Sequence, residues 1–318
     1  MEVGIHIRPQ GWLLERGTLI AVAQRAEALG YGLIGLADHI VLPRDVATRY
    51  PYTQDGVWPG TPTGECLDVM GALCFLAACT ERIRLLSSVA VVPHRPAVAA
   101  AKMLATADVL SGGRVIAGIG AGWMREEFEA LGAPPFAERG AVTDEYLAAF
   151  RALWTEDAPH FEGKHVRFRD VIFRPRPVQA PLPVWVGGES PAALRRTVRF
   201  GEAWYPVSDN QQVPLDTPER LAAGIGRLAR AAEKEGRDPA SIDIGYLWFR
   251  PVSWAARTGD DGARVPFTGN SAQMADDAAG LARAGARHLM VLLTAPSLDE
   301  TMDRLQRFAE DVLPAVRA

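Results

Sequence analysis

The sequence predicts an α/β protein built as a closed (β/α)8 barrel. Eight short apolar runs alternate with eight longer amphipathic stretches over the 318-residue chain. The apolar runs are continuous, as expected for parallel strands that are buried on both faces. Eight β/α units in series favour a closed parallel barrel. We expect one barrel domain to span residues 1–318.

The predicted elements follow from apolar periodicity and from local start and stop signals. The predicted strands are Val3–Ile7, Leu33–Ala37, Ile83–Ser88, Val115–Ile119, Val184–Val186, Ala203–Pro206, Ile242–Phe249 and Leu289–Leu292. The predicted helices are Glu15–Leu29, Leu67–Cys79, Pro96–Leu110, Thr143–Leu153, Pro191–Phe200, Pro218–Glu235, Ala272–Ala284 and Leu298–Val316. Ser190-Pro191 and Thr217-Pro218 each place a capping hydroxyl before a proline at the first helical position, whereas Gly30 and Gly285 follow helix ends.

A doubly wound open sheet is the rival architecture. The first strand runs into Arg8-Pro9-Gln10-Gly11-Trp12 rather than into a GxGxxG phosphate loop, which disfavours that rival. Three segments exceed a minimal barrel: Val41–Glu65, Asp157–Pro183 with a predicted hairpin at His160–Phe168, and Arg250–Asn270. Long loops in compact folds are commonly functional, and the first and third should rise over the carboxyl-terminal mouth.

Composition and charge indicate a soluble enzyme of the cytoplasm. The net charge of −4 disfavours nucleic acid or an anionic membrane as the main partner. The three cysteines, Cys66, Cys74 and Cys79, form no CxxC, so neither a disulfide framework nor a zinc site is expected. The amino terminus lacks the features of a signal peptide, and no apolar run is long enough to span a membrane. We therefore expect a cytoplasmic protein that has no membrane partner.

Functional residues of a barrel lie at the carboxyl ends of its strands. The second predicted strand ends in Asp38-His39. A histidine there can donate a hydrogen bond to a cofactor or act as an acid or base near neutral pH, and Asp38 can orient it. The alternative interpretation is that His39 only terminates the strand.

The fourth predicted strand ends in glycines at alternate positions. Gly118, Gly120 and Gly122 let a flat ring or another chain approach the backbone closely, and Trp123 can wall a pocket. The alternative is a tight turn beside a core tryptophan. A dinucleotide-binding loop is disfavoured, because this GxGxG does not lie in the first β/α unit.

The fifth predicted strand ends in Gly187-Gly188-Glu189-Ser190, directly before a helix. Free N–H groups and the positive end of a helix favour a phosphate at such a turn. The alternative is a capped helix without a ligand, and Glu189 would repel a phosphate unless it points outward. HExxH, GxSxG, P-loop and clustered Cys/His patterns are missing from the sequence, so no metal site is expected.

The chain resembles the luciferase-like flavin monooxygenase and deazaflavin oxidoreductase superfamily, and within it the branch that uses coenzyme F420. The resemblance covers nearly the whole chain. It rests on the stretches Thr80–Leu85, Ala107–Arg114, Gly118–Gly132 (GIGAGWMREEFEALG), Glu138–Gly140, Asp144-Glu145, Ala37-Asp38-His39, Tyr50-Pro51-Tyr52, Leu153-Trp154 and Val186-Gly187-Gly188. By resemblance the cofactor would be F420, with FMN as the alternative.

The resemblance also implies roles for individual residues. Asp38, His39, Gly120, Gly122 and Trp123 would lie beside the cofactor ring. A non-proline cis peptide bond would join Ser88 to Val89 and form a bulge behind that ring. The turn Gly187-Gly188-Glu189-Ser190 would hold the cofactor phosphate. A homodimer would form through the second and third strands and the helices that follow them.

The sequence departs from the pattern of some deazaflavin dehydrogenases in one respect that concerns catalysis. Those enzymes carry Glu where this chain has Trp123, and Asn where it has Glu126. The glutamate of those enzymes donates a proton, which Trp123 cannot do. A role as a sugar-phosphate dehydrogenase is therefore disfavoured, and His39, with Glu126 behind it, becomes the expected proton donor.

Three functional hypotheses remain open from the sequence. The first is hydride transfer between F420 and a small organic substrate. The second is an FMNH2-dependent monooxygenase that is supplied by a partner reductase. The third is a flavin-binding protein without catalysis. A basic rim for the polyglutamate tail of F420 would favour the first, and its candidates are Arg44, Arg49, Arg195 and Arg199.

Overall fold

The computed structural model describes residues 1–60, 63–259 and 262–317. Within these ranges the strands are β1 (Glu2–Ile7), β2 (Leu33–Leu36), β3 (Arg84–Ser87), β4 (Ala90–Val91), β5 (Val115–Gly120), β6 (Phe161–Glu162), β7 (Arg167–Phe168), β8 (Val184–Gly187), β9 (Ala203–Tyr205), β10 (Asp243–Pro251) and β11 (His288–Leu292). The helices there are α1 (Arg16–Ala28), α2 (Val69–Cys79), α3 (Ala97–Ser111), α4 (Arg125–Leu131), α5 (Arg139–Thr155), α6 (Pro191–Phe200), α7 (Pro218–Lys234), α8 (Ser271–Ala284), α9 (Leu298–Asp311) and α10 (Leu313–Arg317).

Eight parallel strands close into the barrel that the sequence predicts. Their order is β3-β2-β1-β11-β10-β9-β8-β5, and β5 pairs back to β3 to complete the ring. The short strand β4 pairs with the end of β5, and β6 and β7 form a separate antiparallel hairpin. The (β/α)8 prediction is confirmed, and so is the hairpin expected within His160–Phe168.

Alternate residues of the barrel strands belong to two apolar clusters. One cluster fills the barrel interior and contains Leu33, Leu86, Ile116, Trp185, Ala203, Tyr205, Leu247, Met290 and Leu292. The other joins strands to the surrounding helices, through residues such as Ile34, Leu85 and Val184. Successive side chains of a strand point to opposite faces, so both faces are buried, and this explains why the sequence shows continuous apolar runs.

The helices differ from the prediction at three places. Helix α4 was not predicted, and α5 begins at Arg139 rather than at Thr143. The predicted last helix is divided into α9 and α10 around Val312. Pro314 explains this break, because proline lacks the N–H group of a helical hydrogen bond and clashes with the preceding turn. No helix in the described ranges is long and apolar enough to cross a membrane.

The three long insertions were expected at Val41–Glu65, Asp157–Pro183 and Arg250–Asn270. The first follows β2 and the third is the continuation of β10, so both leave the barrel at its carboxyl-terminal mouth. Thr61 and Pro62 of the first, and Asp260 and Asp261 of the third, lie outside the described residues. The first insertion covers the cavity described below, and we call residues 41–60 the lid.

We predict that Gly118→Ala destabilises the barrel. A Cβ atom on Gly118 would lie 2.0 Å from the carbonyl oxygen of Ser87 on the neighbouring strand. Backbone cannot move aside as a flexible side chain can, so we expect a loss of about 1–3 kcal/mol in the free energy of unfolding. Urea denaturation followed by circular dichroism measures this change.

The control for that measurement is Gly17→Ala on the exposed surface of α1. A Cβ atom there meets no atom within 4 Å. Alanine also favours a helix over glycine, so stability should stay unchanged or rise slightly. Equal unfolding free energies for Gly118→Ala and the unmodified protein would contradict the proposed steric conflict between the strands.

Candidate active site

A cavity of about 340 Å³ lies at the carboxyl ends of the barrel strands, under the lid. Its size and largely apolar wall are typical of small-molecule sites. Most of the predicted site residues line it, namely Asp38, His39, Ser88, Val89, Gly120, Gly122, Trp123, Gly187, Gly188 and Ser190. Two predicted residues, Glu126 and Glu189, have other surroundings.

His39 is oriented by Glu127, a residue of helix α4. The Nδ1 atom of His39 lies 2.8 Å from Oε2 of Glu127, while Oε1 accepts a hydrogen bond of 2.8 Å from the N–H of Ile40. Burial raises the pKa of Glu127, but the hydrogen bond and the charge interaction with His39 outweigh it and lower that pKa below its ordinary value. With Nδ1 engaged, Nε2 is the ring nitrogen that remains for a ligand in the cavity.

Asp38 does not orient His39, contrary to the sequence-based expectation. Its carboxylate accepts hydrogen bonds of 2.8 and 2.9 Å from the guanidinium of Arg95 and one of 2.9 Å from the N–H of Val91. Arg95 also donates to Asp68, the residue that caps α2. A buried carboxylate needs a charge partner, and the partner of Asp38 is Arg95 rather than His39. Asp38 is therefore a structural anchor at the cavity wall.

Glu126 lies outside the lining of the cavity and contacts the lid. One of its carboxylate oxygens, Oε1, accepts hydrogen bonds of 3.0 and 2.9 Å from the N–H groups of Ala47 and Thr48 in the lid. Consecutive residues of a helix point about 100° apart, so Glu126 and Glu127 contact different parts of the protein. Glu126 thus contacts the lid and its neighbour Glu127 contacts His39, and a role of Glu126 in proton donation stays a prediction.

Aromatic side chains of the lid form the outer wall of the cavity. Tyr50 packs edge-on against Trp123 with ring centroids 4.8 Å apart, and Trp58 lies 5.2 Å from the His39 ring. Tyr52 packs against Phe249 at 5.7 Å. Burial raises the pKa of the Tyr50 hydroxyl and that of the Tyr52 hydroxyl above the ordinary pKa of tyrosine. The lid therefore adds apolar surface to the cavity beside His39.

Three buried polar side chains that are linked by hydrogen bonds, together with one valine, form the floor of the cavity. Ser88 Oγ lies 2.9 Å from Nδ1 of His6 and 2.8 Å from the hydroxyl of Tyr205. The peptide bond between Ser88 and Val89 is cis, as the resemblance implied. The methyl groups of Val89 fill the space beside Gly120 and Gly187, where Cβ atoms would lie 2.8 and 3.2 Å from them.

One end of the cavity combines a helix start with two arginines. Ser190 Oγ caps α6 by accepting from the N–H of Ala193 at 3.2 Å. Arg196 pairs with Asp144 at 2.6 Å, and Arg139 donates through Nε to the carbonyl of Gly122 at 3.1 Å. We call Gly187, Gly188, Ser190, Arg139 and Arg196 the anion end of the cavity.

Glu189 points away from the anion end. Its carboxylate accepts hydrogen bonds from the N–H of Val207 at 2.8 Å and from the Asn210 side chain at 2.6 Å. Burial raises the pKa of Glu189 to about 7, although those two hydrogen bonds oppose the shift. The side chain of Glu189 is thus a buried brace between the turns after β8 and β9, and its place in the cofactor site stays a prediction.

The sequence of this chain is similar to that of known proteins. Residues 3–264 match the family model of the luciferase-like monooxygenases. The chain belongs to the luciferase-like monooxygenase family. An uncharacterized protein of Mycobacterium tuberculosis is 33% identical over 268 residues, which cover 83% of this chain and 92% of that protein. The FMNH2-dependent dimethylsulfone monooxygenase of Pseudomonas putida is 36% identical over 179 residues, covering 51% of this chain and 49% of that enzyme.

Solved structures of the luciferase-like class share the fold at low sequence identity. An F420-dependent secondary alcohol dehydrogenase superposes with a TM-score of 0.76 at 17% identity, covering 100% of this chain and 99% of that one. These figures concern the fold alone. Sequence reasoning missed several residues of the luciferase-like site: Glu127, Arg95, Arg139, His6 and Tyr205. The pair Glu126-Glu127 stood within the quoted motif, but the helix that separates their roles was not predicted.

We predict that Glu127→Gln lowers stability at pH 7 but has little effect in acid. A charged hydrogen bond to a buried partner contributes on the order of 1.5–3 kcal/mol. The folded-state pKa of Glu127 is depressed, so its contribution is present above the unfolded pKa and is lost as the pH falls through the lower folded value. Unfolding in urea at pH 7 and at an acid pH below the depressed folded pKa measures both limits.

Glu129→Gln is the matched control, because Glu129 lies on the same helix with an exposed side chain. Its effect should stay within about 0.5 kcal/mol at both pH values. A loss of stability for Glu127→Gln that is equally large at the two pH values would show that the change acts through packing, not through the charge of the carboxylate.

Proposed function

We propose that the chain is an oxidoreductase that binds coenzyme F420 and transfers a hydride between it and a small organic substrate. The observation that carries the proposal is the His39–Glu127 pair in the wall of a largely apolar cavity under the lid. Such a pair can give or take a proton at a substrate oxygen. When bound, the deazaflavin supplies the carbon that gives or accepts the hydride.

The residues of the cavity fit a flat tricyclic ring with a phosphate on its side chain. Gly120 and Gly187 leave room for the methyl groups of Val89, and Val89 with the backbone of these two glycines offers a floor on which a ring can lie. The anion end offers the start of α6 and two guanidinium groups. Helix starts and arginines both favour phosphate oxygens.

His39 would move the proton that accompanies hydride transfer. Reduction of a carbonyl carbon leaves an oxygen that takes up one proton, and the reverse direction releases it. Glu127 holds Nδ1 and so keeps Nε2 toward the cavity. Tyr50, Tyr52 and Trp58 of the lid would keep water away from the reacting atoms.

An FMNH2-dependent monooxygenase is the second candidate function. The observation that favours it is sequence identity: the named FMNH2-dependent relative is 36% identical over half of this chain. In that case a partner reductase would supply the reduced flavin, and oxygen would be the second substrate. A homodimer stays a prediction in either case; α3 exposes the apolar side chains of Val98, Met103, Val109 and Leu110.

We predict that the purified protein binds F420 more tightly than FMN. Titration of the apo-protein with each cofactor, oxidised and reduced, can be followed through quenching of protein fluorescence, because Trp58 and Trp123 line the cavity. The F420 proposal expects a preference of at least tenfold, about 1.4 kcal/mol. Ketones, imines and activated alkenes are then the substrates to screen.

The other outcomes each point elsewhere. A tenfold preference for reduced FMN would support the monooxygenase, and oxygen consumption with a reductase would be measured next. Binding of a cofactor without turnover of any substrate would favour the flavin-binding protein without catalysis. If neither cofactor binds, the proposed function is wrong.

We predict that Arg139→Gln weakens binding of the cofactor phosphate and leaves binding of the ring unchanged. Loss of a charge-assisted contact of about 1.5 kcal/mol lowers the preference for FMN over riboflavin, or for F420 over its phosphate-free form, by about tenfold. Arg125→Gln is the control, because Arg125 stacks on the same Phe136 ring but lies outside the cavity lining. An equal loss in both variants would assign the effect to stacking on Phe136.

A further inference from the structure

The β1 side of the cavity carries polar groups that the proposed chemistry does not use. They are His6 at the end of β1, and Arg8 and Gln10 just after it. Going round the barrel, β8 is the fourth strand from β1 in both directions. His6, Arg8 and Gln10, which we call the β1 group, therefore lie across the mouth from Gly187 and Gly188 at the anion end.

Arg8 presents an uncompensated positive charge to the cavity. Its guanidinium lies 4.7 Å above the ring of Phe249, and the described residues give it neither a hydrogen bond nor an ion pair. It lines the main cavity and an adjoining one of about 310 Å³, as Gln10 does. A guanidinium that is partly withdrawn from water usually has hydrogen-bond acceptors or an anion beside it, so this arrangement points to a partner that the ligand supplies.

His6 contributes a hydrogen-bond donor next to Arg8. His6 is 2% exposed to solvent. Its ring packs edge-on against the ring of Phe249, with the two centroids 6.1 Å apart. Burial, assisted by the charge of Arg8, lowers the pKa of His6 to about 3, so the ring is neutral at pH 7. Its Nε2 atom is buried and has no hydrogen-bond partner among the described residues.

The hydrogen-bond chain on the floor favours one nitrogen of His6 as the one that carries the hydrogen. Either oxygen of the Tyr205–Ser88 pair can donate, and we assign the phenol as the donor because its hydrogen then has an acceptor among the described residues. The hydroxyl hydrogen of Ser88 is then donated to Nδ1 of His6. A neutral imidazole carries one hydrogen, which must lie on Nε2. Nε2 is therefore a donor.

The β1 group thus offers donors, and its net charge is positive. Oxygens of an anion match such a group, because arginine binds planar carboxylates through two parallel hydrogen bonds. We propose that the β1 group is the subsite for a carboxylate of the substrate, so that the enzyme acts on an organic acid. This inference rests on the proposed function only in identifying the cavity as the substrate site.

Benzoate and benzamide are suitable probes, because they share a shape and differ in charge. Isothermal titration calorimetry of the apo-protein should show benzoate binding at least tenfold tighter than benzamide. Arg8→Gln should abolish this preference, whereas Arg8→Lys, which keeps the charge without the planar fork, should retain part of it. Arg16→Gln, at an exposed arginine outside both cavities, should bind both probes as the unmodified protein does. Should Arg8→Gln fail to fold, Arg8→Lys and the two probes still test the proposal.

Equal binding of benzoate and benzamide to the unmodified protein would overturn the proposal, as would a preference that survives Arg8→Gln. A further arm repeats the benzoate titration with saturating cofactor. If the cofactor blocks benzoate, and Arg8→Gln weakens the cofactor as much as benzoate, the β1 group holds carbonyl oxygens of the cofactor and the proposal is wrong. Normal cofactor binding without a carboxylate preference refutes this inference alone. A carboxylate preference without cofactor binding refutes the proposed function and supports the subsite.

Discussion

The buried ion pair between Asp38 and Arg95 is the contact on which the geometry of the site depends. Asp38 lies two residues after β2, and Arg95 lies four residues after β4; both side chains are nearly fully buried. Burial lowers the pKa of Arg95, but its hydrogen bonds to Asp38 and Asp68 raise it overall. Removal of either partner of such a pair typically costs about 3–5 kcal/mol, because a charge is left buried without compensation. The pair therefore holds the His39 turn against the Ser88–Val89 floor.

A second constraint joins the lid to the histidine through a single short helix. Glu126 and Glu127 are adjacent in α4, and each accepts backbone hydrogen bonds from the segment that follows His39. Glu126 contacts the lid at Ala47 and Thr48, whereas Glu127 contacts His39 itself. A shift of α4 would move both contacts together. The seven residues of α4 therefore couple the position of the lid to the orientation of the His39 imidazole.

The barrel and the turns of the site could be predicted because their signals are local. Each strand shows as a continuous apolar run, and Gly187-Gly188 and Ser190 mark a turn and a helix cap within four residues. The partners of the side chains could not be predicted, because they come from distant parts of the chain. Glu127 lies 88 residues from His39, and Arg95 lies 57 from Asp38. Adjacency suggested Asp38 as the partner of His39, but the fold supplies each with a different one.

Burial explains how the carboxyl group of Glu189 can lie close to the anion end of the cavity. A charged carboxylate one residue from Gly188 and Ser190 would repel the phosphate proposed there. The side chain instead turns toward Val207 and Asn210, and burial raises its pKa to about 7. Near neutral pH a large fraction of Glu189 is therefore uncharged, and the repulsion is reduced. Glu127 is the opposite case, because the hydrogen bond from His39 favours its charged form. The same residue type thus serves as a partly uncharged brace beside the anion end and as a charged positioning group beside His39.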